Sequence, residues 1–178
     1  KTSVKEILKT ILSQKYRILA TPESYNTPLG IALTAKQLDS THDIFIAEMG
    51  ARSKGDIAEL TKLVKPKYGV LTGVNTQHLE SFGNIENTKN TKYELFENLS
   101  KDGVGFFSTD NDNSRELFER FDGEKYSTGL KDQDNFVTAV DVKTDQRGMS
   151  FTLVFGGEKS VKCYTVLLGK HSVRNICL

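Results

Sequence analysis

The sequence predicts an α/β fold with a mostly parallel sheet flanked by helices and a small antiparallel β-subsheet toward the C-terminus. Two observations lead to this prediction. Short apolar segments alternate with helical patterns as far as Phe121, which is typical of parallel strands joined by right-handed crossovers. After Lys125, apolar and polar residues alternate between turns rich in Gly and Asp, which is typical of antiparallel hairpins.

The first part of the chain gives the predicted elements in order. The first helix has an apolar stripe at helical spacing, formed by Val4, Ile7, Leu8, Ile11 and Leu12. A later helix begins at Asp56, an acidic N-cap candidate. Helices are predicted at residues 2–13, 30–38, 56–64, 84–101 and 113–121, and strands at 16–20, 43–48, 68–72 and 103–108.

Residues 125–168 form the predicted hairpin region. Its strands are expected at 135–142, 149–155 and 160–168, because polar turns rich in Gly separate these segments. We expect the strands to form a small sheet within the same domain. A last helix then opens at Gly169.

Composition narrows the function. The chain has 178 residues, with 24 Lys and Arg against 23 Asp and Glu, so its charge gives no reason to expect nucleic acid or an anionic membrane as a partner. No apolar run approaches the roughly 18 residues of a membrane span, and we expect no signal peptide. Cys163 and Cys177 are predicted to be buried thiols of a cytoplasmic protein, since neither has the context of a nucleophile.

Because both ends fall in predicted helices, we expect a piece of a longer enzyme.

Polar residues follow three of the predicted strands, where parallel sheets bind their ligands. Glu48 ends one strand and could hold Mg²⁺, or be an ordinary strand-end charge. His78 lies in the loop after the next strand and could bind metal, or bond to backbone; Glu80 beside it is a supporting partner or a surface residue. Asp110 follows a third strand. Together these positions suggest a metal and phosphate site.

Lys92 falls in an unexpected place on its helix. Ile85, Leu95, Phe96 and Leu99 lie within one arc of roughly 100° at about 100° per residue, and Lys92 lies inside that arc. Burial lowers the pKa of a lysine, and a neutral amine can react with carbon dioxide to give a carbamate, an acid-like metal ligand. The alternative is that the stem is buried and the ammonium reaches water.

Two further pairs of residues could contact a nucleotide. Lys1 and Thr2 open a helix, as the last two residues of a phosphate loop do, although this pair is common and could be a solvated helix start. His171 and Asn175 are four residues apart and share a helix face. They could meet a nucleotide or cap the hairpin sheet.

Seven blocks in order resemble the central ATP-binding domain of the Mur ligases, over nearly the whole chain. These blocks are residues 1–6 (KTSVKE), 25–30 (YNTPLG), 48–51 (EMGA), 55–57 (GDI), 78–83 (HLESFG), 91–94 (TKYE) and 169–175 (GKHSVRN). The resemblance implies a P-loop-type sheet and flanking domains outside the present chain. The chain departs from the family pattern at Ser108, where an Asn is usual, and it lacks the phosphate-loop glycines.

The resemblance also implies roles for individual residues. ATP and two Mg²⁺ ions would be the cofactors. Lys1 would contact phosphate, while Thr2, Glu48, His78 and a carbamylated Lys92 would hold the metals. The nucleotide would also meet Ser3, Asp110, His171 and Asn175, and Asn26 would lie toward a nucleotide-sugar substrate.

The implied reaction is ATP-dependent amide formation through an acyl phosphate, in the synthesis of peptidoglycan precursors. The blocks at Glu48 and His78 favour the branch that adds D-alanyl-D-alanine to UDP-N-acetylmuramoyl-tripeptide. The alternatives are an amino-acid-adding Mur ligase, a folylpolyglutamate synthase, or a non-catalytic nucleotide-binding module. In each case we expect this stretch of chain alone to be inactive.

Overall fold

The computed structural model describes residues 1–75, 83–130 and 134–178. The chain divides into two compact units. The first unit contains residues 1–66 and the described part of 76–100, and the second contains residues 67–75 and the described part of 101–178. Among the described residues, no helix is long and apolar enough to cross a membrane.

The first unit carries four described helices around a short parallel strand pair. In chain order, the helices and strands of this unit are α1 (Thr2–Leu12), β1 (Ile18–Ala20), α2 (Pro28–Ala35), β2 (Ile44–Ile46), α3 (Asp56–Val64) and α4 (Ile85–Glu97). Ile18 of β1 lies opposite Ile44 of β2. The core of the unit consists of Ile31, Ile57 and Leu60, with partly buried side chains such as Phe45 and Leu95 packed against it.

The second unit is built on one six-stranded sheet. Its elements are β3 (Tyr68–Leu71), β4 (Val104–Ser108), α5 (Asp112–Arg120), β5 (Glu124–Gly129), β6 (Val137–Thr144), β7 (Met149–Phe155), β8 (Lys159–Thr165) and α6 (Lys170–Cys177). The strand order follows the sequence, with β3 to β6 parallel and β6 to β8 antiparallel. Apolar side chains of β6 and β7 form a core with Val173 and Cys177 of α6.

Polar side chains fix the starts of several helices. Thr27 caps α2 by accepting a hydrogen bond from the Gly30 amide, and Pro28 follows at the first helical position. Asn84 caps α4 and Asn111 caps α5 in the same way. The predicted cap of α3 is wrong by one residue, because the N-cap is Gly55.

The α/β class and the antiparallel C-terminal strands are confirmed, with three corrections. β5 was not predicted, because its segment contains no apolar run. Since β5 pairs in parallel with both β4 and β6, the antiparallel strands extend the parallel sheet and do not form a separate one. The strands also form two sheets, so Glu48 and Asp110 follow strands of different sheets.

Two predicted helices differ from those in the structure. Ile11, placed in the apolar stripe of α1, is 55% exposed. The helix predicted at 84–101 ends at Glu97, so Leu99 lies beyond it. Tertiary packing, and not the helical pattern alone, decides where a helix ends and which of its apolar side chains are buried.

Candidate active site

Glu48 and Lys1 lie together in the first unit. Glu48 follows β2 by two residues and is 6% exposed. Lys1 is the N-cap of α1, and its Nζ lies 3.9 Å from Glu48 Oε1. The same ammonium donates a hydrogen bond to the Met49 carbonyl oxygen at 3.2 Å. Two residues predicted to act on phosphate and metal are therefore neighbours.

Asn26 holds the Glu48 carboxylate. Its Nδ2 donates to Glu48 Oε1 at 3.1 Å, and its backbone carbonyl accepts from the Gly50 amide at 3.0 Å. A Cβ at Gly50 would lie 2.8 Å from Asn26 Cγ, so a larger residue there would displace the Asn26 side chain. The resemblance implied a substrate contact for Asn26, whereas in the structure the side chain positions a carboxylate.

One oxygen of Glu48 has no hydrogen-bond partner among the described residues. Oε2 is buried and unpaired, although the Glu48 amide donates to Thr21 Oγ1 at 3.1 Å. A buried carboxylate oxygen without a partner is unfavourable, and a hard cation such as Mg²⁺ supplies what it lacks. Glu48 therefore fits the predicted metal role.

Apart from Glu48, the described residues supply few side chains of the kinds that usually bind metal ions. They contain no group of three His, Cys, Asp or Glu residues that could hold a metal ion. Mg²⁺ commonly binds through one or two protein oxygens plus water and substrate phosphates, so one carboxylate is compatible with it. Thr2 and Ser3 lie exposed in the first turn of α1. Their hydroxyls are accessible to such a group.

Lys92 lies half-buried on α4. Burial lowers the pKa of its ammonium, and the nearby positive charge of Lys1 lowers it further. The same helix buries Thr91, whose Oγ1 has no hydrogen-bond partner among the described residues. The sequence-based expectation of a desolvated lysine agrees with this position, and a lowered pKa increases the neutral fraction that can react with carbon dioxide.

His78 and Glu80 lie outside the described residues, as does most of the HLESFG block. The metal role of His78 therefore stays a prediction. The prediction that Glu48 and Asp110 lie at one sheet edge is wrong, because they follow strands of different sheets, and the position of His78 stays a prediction.

Asp110 of the second unit is committed to contacts within the fold. Its side chain is 3% exposed; Oδ1 accepts from the Leu130 amide at 2.9 Å and Oδ2 accepts from Arg174 Nε at 2.6 Å. A Cβ at Gly129 would lie 2.7 Å from Oδ1, which shows how closely the strand end approaches. Asp110 thus joins the end of β4 to α6.

A buried polar group continues this network at the ends of β4 and β5. Thr109 donates its hydroxyl to Asn135 Oδ1 at 2.5 Å, and its amide donates to the Thr128 carbonyl oxygen at 3.0 Å. Thr128 Oγ1 is buried and has no hydrogen-bond partner within the described ranges. Polar groups at the carboxyl ends of parallel strands are where α/β proteins commonly bind ligands.

The two residues of α6 that were predicted to contact a nucleotide differ in their exposure. His171 is exposed and Asn175 is half-buried. A Cβ at Gly169, whose φ is +90°, would lie 2.6 Å from His171 Cε1, so the imidazole folds back over the helix start. Neither side chain caps the hairpin strands through a hydrogen bond in the described residues.

Sequence reasoning missed three residues that shape these sites: Lys5, Thr21 and Arg174. Lys5 carried a detectable signal, since on a helical wheel it lies about 20° from Leu12 at the edge of the apolar stripe. Thr21 and Arg174 carried none, because their partners are distant in sequence.

Comparison with known proteins identifies the family. Residues 1–178 match the Mur ligase middle domain. UDP-N-acetylmuramoyl-tripeptide–D-alanyl-D-alanine ligase of Bacillus subtilis is 29% identical over 175 residues, which are 98% of this chain and 37% of the relative. This chain thus spans less than two fifths of that relative's length.

Solved structures give the same picture. MurF from Acinetobacter baumannii superimposes with a TM-score of 0.90 at 25% identity, covering 99% of this chain and 38% of the other. MurF ligase from Thermotoga maritima in complex with ADP has a TM-score of 0.88 at 24% identity, covering 99% and 40%. Since the family match extends over all 178 residues, the chain belongs to the Mur ligase family and corresponds to its middle domain.

Proposed function

We propose that the protein containing this chain is an ATP-dependent ligase that adds D-alanyl-D-alanine to UDP-N-acetylmuramoyl-tripeptide in peptidoglycan precursor synthesis. The whole-chain match to the Mur ligase middle domain carries this proposal, together with a relative of that activity at 29% identity. The work would take place in the cytoplasm, with flanking domains of the same chain binding the substrates.

The proposed reaction has two steps. A carboxylate oxygen of the tripeptide attacks the γ-phosphorus of ATP, so that the bond to the β-phosphate oxygen breaks and ADP leaves. The amine of D-alanyl-D-alanine then attacks the acyl carbon and loses a proton, and inorganic phosphate leaves as the amide forms. Substrate groups make every new bond, so the protein needs to supply charge and orientation and no covalent nucleophile.

The first unit supplies the charges in this proposal. The Lys1 ammonium would contact the transferred phosphate while keeping its bond to the Met49 carbonyl. Thr2, Glu48, His78 and Lys92 would hold two Mg²⁺ ions. Bound Mg²⁺ neutralises phosphate charge during phosphoryl transfer. The unpaired Oε2 of Glu48 is the observation that favours this assignment.

Lys92 would join that set as a carbamate. Its lowered pKa, caused by burial and by Lys1, raises the share of neutral amine at a given pH. The neutral nitrogen adds to carbon dioxide and releases a proton, which gives an N-carboxylate. The product is negatively charged, so it would be attracted by Lys1 where the ammonium is repelled.

The remaining residues would serve the nucleotide and the acceptor. Ser3, His171 and Asn175 would contact ATP, and Asp110 would act indirectly by fixing α6 through Arg174. Asn26 would orient Glu48 and would lie toward the nucleotide-sugar substrate.

The test is ATP-dependent phosphate release by the intact protein, with both substrates present or one omitted. We expect turnover only when the tripeptide and D-alanyl-D-alanine are both present. Lys92→Ala should abolish turnover, and short-chain carboxylates should restore part of it. The matched control is Lys101→Ala, at an exposed lysine, which should retain activity.

Other results would select other functions. Turnover with a single amino acid in place of the dipeptide would indicate an amino-acid-adding ligase, and turnover with a folate would indicate a folylpolyglutamate synthase. Absence of turnover with any acceptor would favour a non-catalytic nucleotide-binding module. The 178-residue stretch alone should be inactive in every case, and measurable ligation by it would contradict the proposed need for flanking domains.

A further inference from the structure

We propose that Lys5 is a positioning residue that sets the metal-binding carboxylate of Glu48 through Thr21. The inference rests on the proposed function in one respect, namely that Glu48 binds a divalent cation. Lys5 touches no group assigned to substrate or metal, so its action would be indirect.

Lys5 is buried with all its donors used. The residue is 3% exposed, and its Nζ donates to the carbonyl oxygens of Thr21 at 2.6 Å and Glu23 at 2.5 Å. The third neighbour is Glu6 Oε1 at 3.1 Å. An ammonium has three N–H donors, and three acceptors surround this one. Because an unpaired buried charge is strongly unfavourable, these bonds hold the Thr21–Glu23 backbone firmly against α1.

Thr21 transmits that restraint to Glu48. Thr21 is 1% exposed, and its Oγ1 accepts the hydrogen bond of the Glu48 amide at 3.1 Å. Its own amide donates to the Ile46 carbonyl oxygen at 3.0 Å. Thr21 is therefore fixed on one side by Lys5 and on the other by the end of β2, and its hydroxyl sets the backbone from which the Glu48 side chain leaves.

A second route runs through the turn that follows. Glu23 has a φ of +43°, a left-handed conformation that a non-glycine residue seldom adopts, and Lys5 binds its carbonyl oxygen. Three residues later, Asn26 donates to Glu48 Oε1. The segment from Thr21 to Asn26 thus contacts both the backbone and the carboxylate of Glu48, and Lys5 is the group that holds this segment.

If Lys5 had a purely structural role, replacing it would change stability alone. If it has a positioning role, replacing it also changes metal affinity. The Thr21 hydroxyl separates the two, because Thr21→Val removes the acceptor of the Glu48 amide and keeps the carbonyl that Lys5 binds. Thr21→Ser keeps the hydroxyl. Outer partners of metal ligands typically contribute 10-fold to 100-fold in affinity, so we expect Thr21→Val to weaken binding by roughly 10-fold.

The experiment measures Mn²⁺ binding to the intact protein by electron paramagnetic resonance in the presence of ADP. The half-saturating Mg²⁺ concentration for ATP turnover and the KM for D-alanyl-D-alanine are measured alongside. We expect Lys5→Met and Thr21→Val to raise the Mn²⁺ dissociation constant and the Mg²⁺ requirement about 10-fold, with KM unchanged. Thr21→Ser and the exposed control Lys9→Met should behave as wild type.

The two substitutions should also be non-additive, because they act on one chain of contacts. Wild-type metal binding by Thr21→Val would overturn the inference even if Lys5→Met failed to fold. Equal losses in Thr21→Val and Thr21→Ser would also overturn it, since packing would then be the cause. Wild-type protein that binds Mn²⁺ but needs no D-alanyl-D-alanine would contradict the proposed function and leave this inference standing. Wild-type protein that binds no Mn²⁺ would overturn both.

Discussion

Glu94 is a buried carboxylate that holds the start of α3, and its replacement by Gln gives a quantitative test of the packing between α3 and α4. The N-cap of α3 is Gly55, whose missing side chain leaves the first amides of the helix without a local acceptor. Glu94 reaches across from α4 instead. Its Oε1 accepts from the Gly55 amide at 2.7 Å and its Oε2 accepts from the Ala58 amide at 3.1 Å.

The expected loss follows from these two bonds. Glu94 is 8% exposed, so water replaces little of what is removed. Gln keeps one acceptor oxygen but turns an amide toward the second backbone N–H, which loses one charge-assisted hydrogen bond of about 1.5–3 kcal/mol. The lost charge at the helix start costs about 0.3–1 kcal/mol more. We therefore expect Glu94→Gln to destabilise the local structure by about 2–4 kcal/mol.

Hydrogen–deuterium exchange of the intact protein measures this locally. Since about 1.4 kcal/mol corresponds to a factor of 10, the Gly55 and Ala58 amides should exchange roughly 30-fold to 700-fold faster in Glu94→Gln. The control is Glu97→Gln, at an exposed position of the same helix, which should change stability by less than about 0.5 kcal/mol. Equal exchange in the two variants would refute the view that Glu94 caps α3.

Further outcomes are expected at Gly50, Arg174 and Cys177. Gly50→Ala should lower the melting temperature and weaken Mn²⁺ binding, because its Cβ would lie 2.8 Å from Asn26 Cγ and overpacking costs about 1–3 kcal/mol. Arg174→Met should destabilise the protein to chemical denaturation by about 1–3 kcal/mol, since it removes the hydrogen bond that Arg174 Nε donates to the buried Asp110 Oδ2; Asp110→Asn in the same background should add little. Burial, reinforced by the Asp110 carboxylate, raises the pKa of the Cys177 thiol to about 12, so a disulfide reagent at pH 8 should label Cys177 only on unfolding. The folded thiol also keeps its proton between its ordinary pKa near 9 and this raised value while the unfolded thiol loses it, so the Cys177 contribution to stability should fall as pH rises through that window.

The sequence carried enough information for those elements whose burial follows the chain's own periodicity. β3 and β4 were predicted to within a residue, because buried parallel strands are continuous apolar runs. β5 has no such run. It buries the polar residues Ser127 and Thr128, and most buried polar side chains need a hydrogen-bond partner. One of those partners is the Phe136 amide, which donates to Ser127 Oγ at 3.2 Å, and no local pattern predicts that bond.

In the candidate site, too, local patterns predicted the positions of residues but not their distant partners. Glu48 was predicted from its place after a buried strand, and Lys92 from its place in an apolar arc. Asp110 was also placed correctly at a strand end, but its bond to Arg174 joins residues 64 positions apart and was not predicted. The sequence predicts where a residue lies along a helix or strand, whereas the partner of its side chain depends on the assembled fold.

Two buried carboxylates of the first unit show how such partners separate structure from chemistry. Glu94 and Glu48 are exposed to similar extents, 8% and 6%. Both oxygens of Glu94 accept backbone hydrogen bonds, so its negative charge is compensated within the fold and its loss should cost stability. Glu48 is held by Asn26 through one oxygen, and the other has no partner in the part of the chain that the structure describes. Lys1 Nζ lies 3.9 Å from the oxygen that Asn26 holds, so the fold compensates the Glu48 carboxylate on that side only. Burial alone would rank the two residues equally, whereas their hydrogen bonds favour Glu48 over Glu94 for the proposed cation site.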